Sequence, residues 1–240
     1  MTQAKAVSLI IPAYNEENYI GACLDAVMRN IAPRAHEIIV VDNGSTDATA
    51  EIVGRYPEVT RVFEPAKGIT RARQAGYRHA SGKILAFIDA DTLPPAGWIE
   101  QIEEQFAAQA DLACLSGPYD YHDLPRLRRR IAAAWFVAAR LVYRGVGYMM
   151  VGGNFAIRRT VLDAMGGFDA TIEFYGEDAD VGRRARRFGR VLFRRQFVMP
   201  TSARRLQQEG HVKTAGIYLI NFASIALRGR PATSGYSDIR

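Results

Sequence analysis

Apolar residues along this chain alternate between short runs and helical spacing. Residues 7–11 form a mostly apolar run that stops at Pro12, after which Ile20, Cys23, Leu24, Val27 and Ile31 recur three or four positions apart. That change of period predicts a strand followed by an amphipathic helix. The pattern repeats. A second strand is predicted at 37–41, closed by Asp42-Asn43-Gly44-Ser45, with Ser45 or Thr46 placed to cap a helix carrying Asp47 and Glu51 in its early turns. A third strand at 59–63 and a helix over 69–80 follow. The run at 84–88 is apolar at every position, as expected of a strand buried on both faces. A helix with Trp98, Ile102 and Phe106 on one face and a strand at 112–115 end this half. Such alternation predicts an α/β fold, a mostly parallel sheet flanked by helices on both faces.

The second half loses that rhythm. Leu127, Ile131, Trp135, Ala138 and Val142 keep helical spacing and predict a long basic amphipathic helix. A strand at 151–157 is interrupted by Gly152-Gly153-Asn154. A short helix near 161–165, an Arg-rich helix over 177–188 and a strand at 191–198 come next. The apolar stretch 215–227 precedes a loose tail of ten residues.

Charge divides the same way. Residues 1–120 carry a net −6 and residues 121–240 a net +12. An acidic half beside a basic half suits an anionic ligand or an anionic membrane surface. Nucleic acid is not expected, because no aromatics are interleaved with the arginines and no nucleic-acid module is recognisable. Cys23 and Cys114 have no metal-ligand spacing and read as buried apolar residues of a reducing compartment. With no secretory pattern before Pro12, a cytoplasmic location is expected.

The chemistry concentrates where strands end. Asp89-Ala90-Asp91 follows the buried run 84–88, at the carboxyl end of a strand, where α/β sheets bind ligands. Two carboxylates so close repel one another unless water solvates them or a cation lies between them. Hard oxygens without His or Cys favour Mg²⁺ or Mn²⁺. Gly44 permits a tight turn after the second strand. A dinucleotide-binding dehydrogenase is excluded, since Pro12-Ala13-Tyr14-Asn15-Glu16 stands where a Gly-x-Gly-x-x-Gly loop would be needed.

Four segments in order, spanning residues 7 to about 205, resemble the family 2 glycosyltransferases: Ser8 to Glu16, Val40 to Asp47, Asp89-Ala90-Asp91, and Tyr175-Gly176-Glu177-Asp178-Ala179-Asp180. The resemblance implies a GT-A fold, with residues 1–205 as the catalytic domain and 206–240 as a C-terminal helix and tail. Residues 1–120 would be its nucleotide and metal half, and 121–205 its acceptor half. It implies inverting transfer of a sugar from a nucleotide diphosphate donor, such as a UDP- or GDP-sugar, to a hydroxyl of a sugar or lipid-linked acceptor, in cell-envelope polysaccharide synthesis. By the same resemblance Asp91 is the direct metal ligand, with Asp89 beside it and toward the ribose. Pro12, Ala13, Tyr14, Glu16, Asp42, Gly44 and Arg73 then contact the nucleotide. Gly153, Asn154 and Glu177 line the donor-sugar and acceptor cleft. Asp178 is the general base, with Asp180 as the alternative two residues on. Arg73 lies in Thr70-Arg71-Ala72-Arg73-Gln74-Ala75-Gly76, where Gln74 departs from the family's Asn, and a solvated helix arginine is the competing reading. Arg204 or Arg205 could contact the diphosphate. The Gln-x-x-Arg-Trp motif of processive synthases is missing, and His211 reads as a surface residue.

No run reaches the ~20 apolar residues needed to span a bilayer. The uncharged stretch 214–227 has Lys213, Arg228 and Arg230 at its ends and a narrow stripe of Tyr218, Asn221 and Ser224. Such a helix either packs on the catalytic domain or lies peripherally on the inner face of the cell membrane.

Overall fold

The computed structural model describes residues 6–172 and 175–233. The first half follows the predicted alternation: β1 (Val7–Ala13), α1 (Ile20–Asn30), β2 (Glu37–Asp42), α2 (Thr49–Val53), β3 (Val59–Phe63), α3 (Ile69–His79), β4 (Ile84–Ile88), α4 (Trp98–Ala108) and β5 (Leu112–Ser116). The second half contains β6 (Tyr119–Tyr121), α5 (Arg126–Val146), β7 (Asn154–Arg158), α6 (Arg159–Ala164), α7 (Glu177–Ala185), β8 (Arg190–Phe193), β9 (Met199–Thr201), α8 (Arg204–Glu209) and α9 (His211–Arg228).

A seven-stranded sheet runs in the order β3-β2-β1-β4-β7-β5-β8. Every neighbour pair is parallel except those made by β7, which is antiparallel to both β4 and β5. Alternate residues of each strand face opposite layers, so Leu9 and Ile11 join the core under α1 and α4, while Ile10 joins the core under α3 and α7. β4 is buried at all five positions, as its unbroken apolar run requires.

The reversal of β7 decides where the site lies. Because β7 runs against β4, Asn154 at its start pairs with Ile88 at the end of β4. Gly152 and Gly153 therefore stand at the same sheet edge as Asp89. The strand expected at 151–157 begins only after the two glycines. The one expected at 191–198 stops at Phe193, and the chain re-forms as β9, which pairs parallel with β6 in a separate two-stranded sheet. A bridge between Thr92 and Thr201 carries this small sheet back to the loop after β4.

Two capping expectations are corrected. Neither Ser45 nor Thr46 caps α2. Asp47 accepts the Thr49 amide at 3.0 Å, while the Ser45 hydroxyl accepts the Asn15 amide at 3.1 Å, tying the loop after β1 to the loop after β2. The helix at 215–227 starts earlier, at His211, and its inner side packs on α7 and α8. Cys23 and Cys114 are both buried. Residues 234–240 of the tail and the His211 side chain lie outside the described residues. Among those described, no helix is long and apolar enough to cross a membrane.

Candidate active site

The carboxyl ends of β1, β2 and β4 meet the amino end of β7 at one edge of the sheet. Ala13 at the end of β1 is in register with Asp42 at the end of β2, and the Asn43 amide donates to the Ala13 carbonyl at 2.8 Å. Pro12, Ala13 and Asp42 are buried side by side. The Asp42 carboxylate accepts the Ser45 amide at 2.9 Å and faces Arg61 at 3.5 Å. Gly44 has φ +78°, the left-handed region where a side chain is disfavoured, and the space beside it is open. Tyr14 is half-buried, with Lys67 Nζ donating to its hydroxyl at 2.6 Å and lying 4.4 Å from the ring centre. Asn43, which sequence reasoning passed over, fixes the loop after β3: its amide donates to the carbonyls of Glu64 and Ala66, and its oxygen accepts the Gly68 amide.

Asp89 and Asp91 leave β4 toward different partners. The Asp89 carboxylate accepts Arg73 at 3.1 Å and the Tyr119 hydroxyl at 2.8 Å, and a third of it is exposed. Asp91 accepts Arg204 Nε at 2.9 Å, and the same guanidinium reaches Glu16 at 2.5 Å. Both carboxylates outweigh the burial that would pull Arg204 down, and the guanidinium is held above its ordinary range. A cation thus already neutralises Asp91. Among the described residues no cluster of three His, Cys, Asp or Glu could hold a metal alone. The donor set fits a hard divalent ion of the kind that takes one or two carboxylates and completes its shell with phosphate oxygens and water. Asp91 and Asp89 would hold it.

Arg73 is not a solvated helix arginine. It is 2% exposed on α3, and its guanidinium bridges Asp89 to Glu177, with 2.5 Å to the Glu177 carboxylate. Burial would lower Arg73, yet Glu177 and Asp89 together hold it above its ordinary range. The two glycines before β7 make room for this bridge. A side chain at Gly152 would come within 2.6 Å of the Glu177 carboxylate, and one at Gly153 would collide with Asp89 and Tyr119. The Gly153 amide donates to the Tyr119 hydroxyl at 2.8 Å, so Tyr119 links that loop to Asp89. Tyr119 was not singled out from the sequence; its position after Ser116-Gly117-Pro118, beyond a strand end, was the available signal.

Asp178 follows at the first turn of α7, which enters through Gly176 at φ +92°. Desolvation, with the neighbouring Glu177 charge behind it, pushes the Asp178 carboxyl up to about 7. Glu177 is also raised by burial, with Arg73 working against that shift. Asp180 does not share this setting: it is 2% exposed and paired with Arg183 at 3.1 Å and Arg184 at 2.7 Å. Its carboxylate is committed within α7. Asn154 is likewise spoken for. Its amide donates to the Phe197 and Pro118 carbonyls and its oxygen accepts the Trp98 indole at 3.0 Å, so this fully buried side chain braces the core. Three residues before Asp178, Tyr175 meets Tyr218 of α9 edge to face at 5.6 Å, and Arg205 reaches the Tyr175 hydroxyl at 3.4 Å.

A known sequence profile, described as glycosyl transferase family 2, matches residues 8–166, which hold Asp42, Arg73, Asp89 and Asp91 and end before Glu177 and Asp178. The chain belongs to this family. Two curated relatives are Glycosyltransferase AglE of Haloferax volcanii, 40% identical over 101 residues, and probable glycosyltransferase YdaM of Bacillus subtilis, 26% identical over 185. The matches cover 40% and 70% of this chain but only 33% and 44% of those proteins. This chain thus spans under half the length of either relative. Solved structures show the same GT-A fold. The mannosyltransferase PcManGT of Pyrobaculum calidifontis, determined with GDP-Man and Mn²⁺, aligns with a TM-score of 0.73 at 23% identity, over 99% of this chain and 67% of that one. Glucosyl-3-phosphoglycerate synthase of Mycobacterium tuberculosis, determined with Mn²⁺, UDP-Glc and phosphoglyceric acid, aligns at 0.65 and 19%, over 95% and 81%.

Proposed function

We propose that this family 2 member is an inverting glycosyltransferase that moves a sugar from a UDP- or GDP-sugar to a hydroxyl of a sugar or lipid-linked acceptor. The observation that carries the reading is the bridge from Asp89 through Arg73 to Glu177, which joins the paired carboxylates at the end of β4 to the half-buried Asp178. Nucleotide-sugar and Mn²⁺ complexes of fold neighbours support it.

In this reading the nucleotide lies against Pro12, Ala13, Tyr14 and Asp42, over the open turn at Gly44. The diphosphate lies toward Asp91 and Asp89. Asp91 and Asp89 would hold a divalent metal, Mg²⁺ or Mn²⁺, which when bound would neutralise the negative charge that grows on the leaving diphosphate. Arg204, released from Asp91, is within reach of the same phosphates as a second positive charge. Asp178 takes the proton from the acceptor hydroxyl as that oxygen attacks the anomeric carbon from the face opposite the diphosphate. A base titrating near 7 suits proton transfer at neutral pH. Glu177, held by Arg73, fixes the first turn of α7 and with Gly153 bounds the cleft.

The test is nucleotide binding by calorimetry with and without Mn²⁺. The wild-type chain is expected to bind UDP or GDP in a manner that chelator abolishes, and Asp91→Ala should lose at least about tenfold of that affinity, the order expected when a charge-paired ligand is removed. Equal affinity in chelator and in Mn²⁺ would remove the metal from the reading.

A further inference from the structure

Helix α9 has its polarity turned inside out. Thr214, Asn221, Ser224 and Ile225 face the protein and are buried. The Asn221 side chain donates to Ile217 and Thr233 and accepts the amides of Ala232 and Thr233, while Ser224 donates to the Arg230 carbonyl. The polar stripe is thus consumed by the fold. The outward side is apolar: Leu219 is 46% exposed, Ile220 57% and Leu227 85%. Surface helices in water show the opposite arrangement. Lys213, Arg228 and Arg230 are exposed at the two ends, and no Asp or Glu occurs from His211 to Arg230. The first turns of α5 repeat the composition, with Leu127 and Ile131 exposed among Arg126, Arg128 and Arg130.

The inward side of the same helix borders the base. A side chain at Gly176, the residue before α7, would meet Ile225 at 2.5 Å, and Tyr218 stacks edge to face on Tyr175. Tyr218 keeps 40% of its surface exposed, and Arg205, Asp178 and Glu177 are the charges that act on its phenol. The two residues that lead into α7 and Asp178 thus pack directly on α9, whose opposite side carries the exposed apolar residues.

We propose that the outer face of α9 lies in the interface of an anionic phospholipid bilayer, and that the acceptor deprotonated beside Tyr218 is lipid-linked and presented from that bilayer. The second half of this statement rests on the transferase reading above. An apolar centre with cations at both ends and no carboxylate is complementary to acyl chains flanked by anionic headgroups. A second copy of the chain fits worse, because a two-fold contact would set the same cations of both copies together without counter-charge.

The experiment is flotation of the full chain with vesicles of phosphatidylcholine alone or mixed with phosphatidylglycerol. Flotation is expected with the anionic vesicles, weakening as salt rises. Leu219→Glu/Ile220→Glu, at exposed positions, should weaken it by about tenfold or more while the thermal midpoint and Mn²⁺-dependent nucleotide binding stay unchanged. Arg228→Gln/Arg230→Gln should weaken it without altering any apolar residue. A wild-type chain that ignores anionic vesicles overturns the proposal, as does flotation that none of these substitutions changes. So does a wild-type dimer that Leu219→Glu/Ile220→Glu converts to a monomer. For the acceptor, a lipid-linked glycoside in the vesicles should outpace the soluble glycoside, and equal rates overturn that half. Loss of nucleotide binding with intact flotation would count against the transferase reading alone.

Discussion

Asp178→Asn is expected to lower sugar transfer by about 10²- to 10⁴-fold, the range associated with loss of a positioned general base. The substitution keeps the shape of the carboxyl and removes its capacity to take a proton. Donor and metal affinity should stay within experimental error, because Asp178 touches neither Asp89 nor Asp91. The pH dependence provides a second readout. With its carboxyl held at about 7, wild-type transfer should climb through neutrality as Asp178 ionises, and the variant should lack that limb. Stability should move the other way. A carboxyl whose folded value is raised above the ordinary value of about 3.9 keeps its proton in the folded state longer than in the unfolded one. The wild-type fold then loses stability as pH rises from about 4 to 7 through this group, and Asp178→Asn should remove that part of the slope. A stable, slow variant with unchanged donor affinity is a signature that mere structural damage does not give. Near-wild-type transfer would refute the assignment.

Asp180, two residues along, has a different expected phenotype. Its carboxylate is sandwiched by Arg183 and Arg184, and Arg184 in turn donates to the carbonyls of Met165 and Gly167. Losing Asp180 unties α7 from the loop after α6 and belongs with stability. Sequence alone offered both residues as bases, since one helix turn cannot say which side chain points into a cleft.

The same limit marks what else was legible. Apolar period placed β1 to β5 and α3 to within a residue or two, because each buries apolar side chains at a spacing that is local in the chain. The strand end carrying Asp89 and Asp91 was legible for that reason. The reversed insertion of β7 between β4 and β5 was not, because orientation is set by partners about 40 to 70 residues away in the chain. Without that reversal nothing brings Gly152 and Gly153 to Asp89, and Arg73 reads as one more surface arginine on a polar helix. Asn154 shows the converse: an Asn beside glycines at a cleft reads as a ligand, and the three polar contacts that bury its side chain all come from residues distant in sequence. In α9 the narrow polar stripe was visible, and which side of it faced the protein was not. Periodicity gives a face without a direction.

Arg73→Met is the other large effect expected. The replacement matches the length of the aliphatic stem and removes the one charge that faces both Glu177 and Asp89. Breaking a buried pair by deleting one partner typically costs about 3–5 kcal/mol, because the remaining charge is left uncompensated. Here Glu177 bears most of it, being 12% exposed where Asp89 is 34% exposed and can turn to water. Glu177 is already raised by burial, and losing Arg73, which opposes that shift, should raise it further. The sign follows: a carboxyl with a raised folded value destabilises the fold increasingly as pH rises through that value. The deficit of Arg73→Met, measured by urea unfolding, should therefore be larger at pH 8 than at pH 5. Glu177→Gln added to Arg73→Met should recover part of the loss, whereas Glu177→Gln alone leaves Arg73 with only Asp89. Arg73→Lys should be intermediate, since a single ammonium cannot span two carboxylates as a guanidinium does. Arg73 also holds the Asp178 carboxyl down, so in Arg73→Met the rising limb of transfer should shift to higher pH. An equal deficit at both pH values, with no coupling between positions 73 and 177, would mean that Arg73 contributes packing and not charge, and the bridge between the two halves of the site would lose its energetic basis.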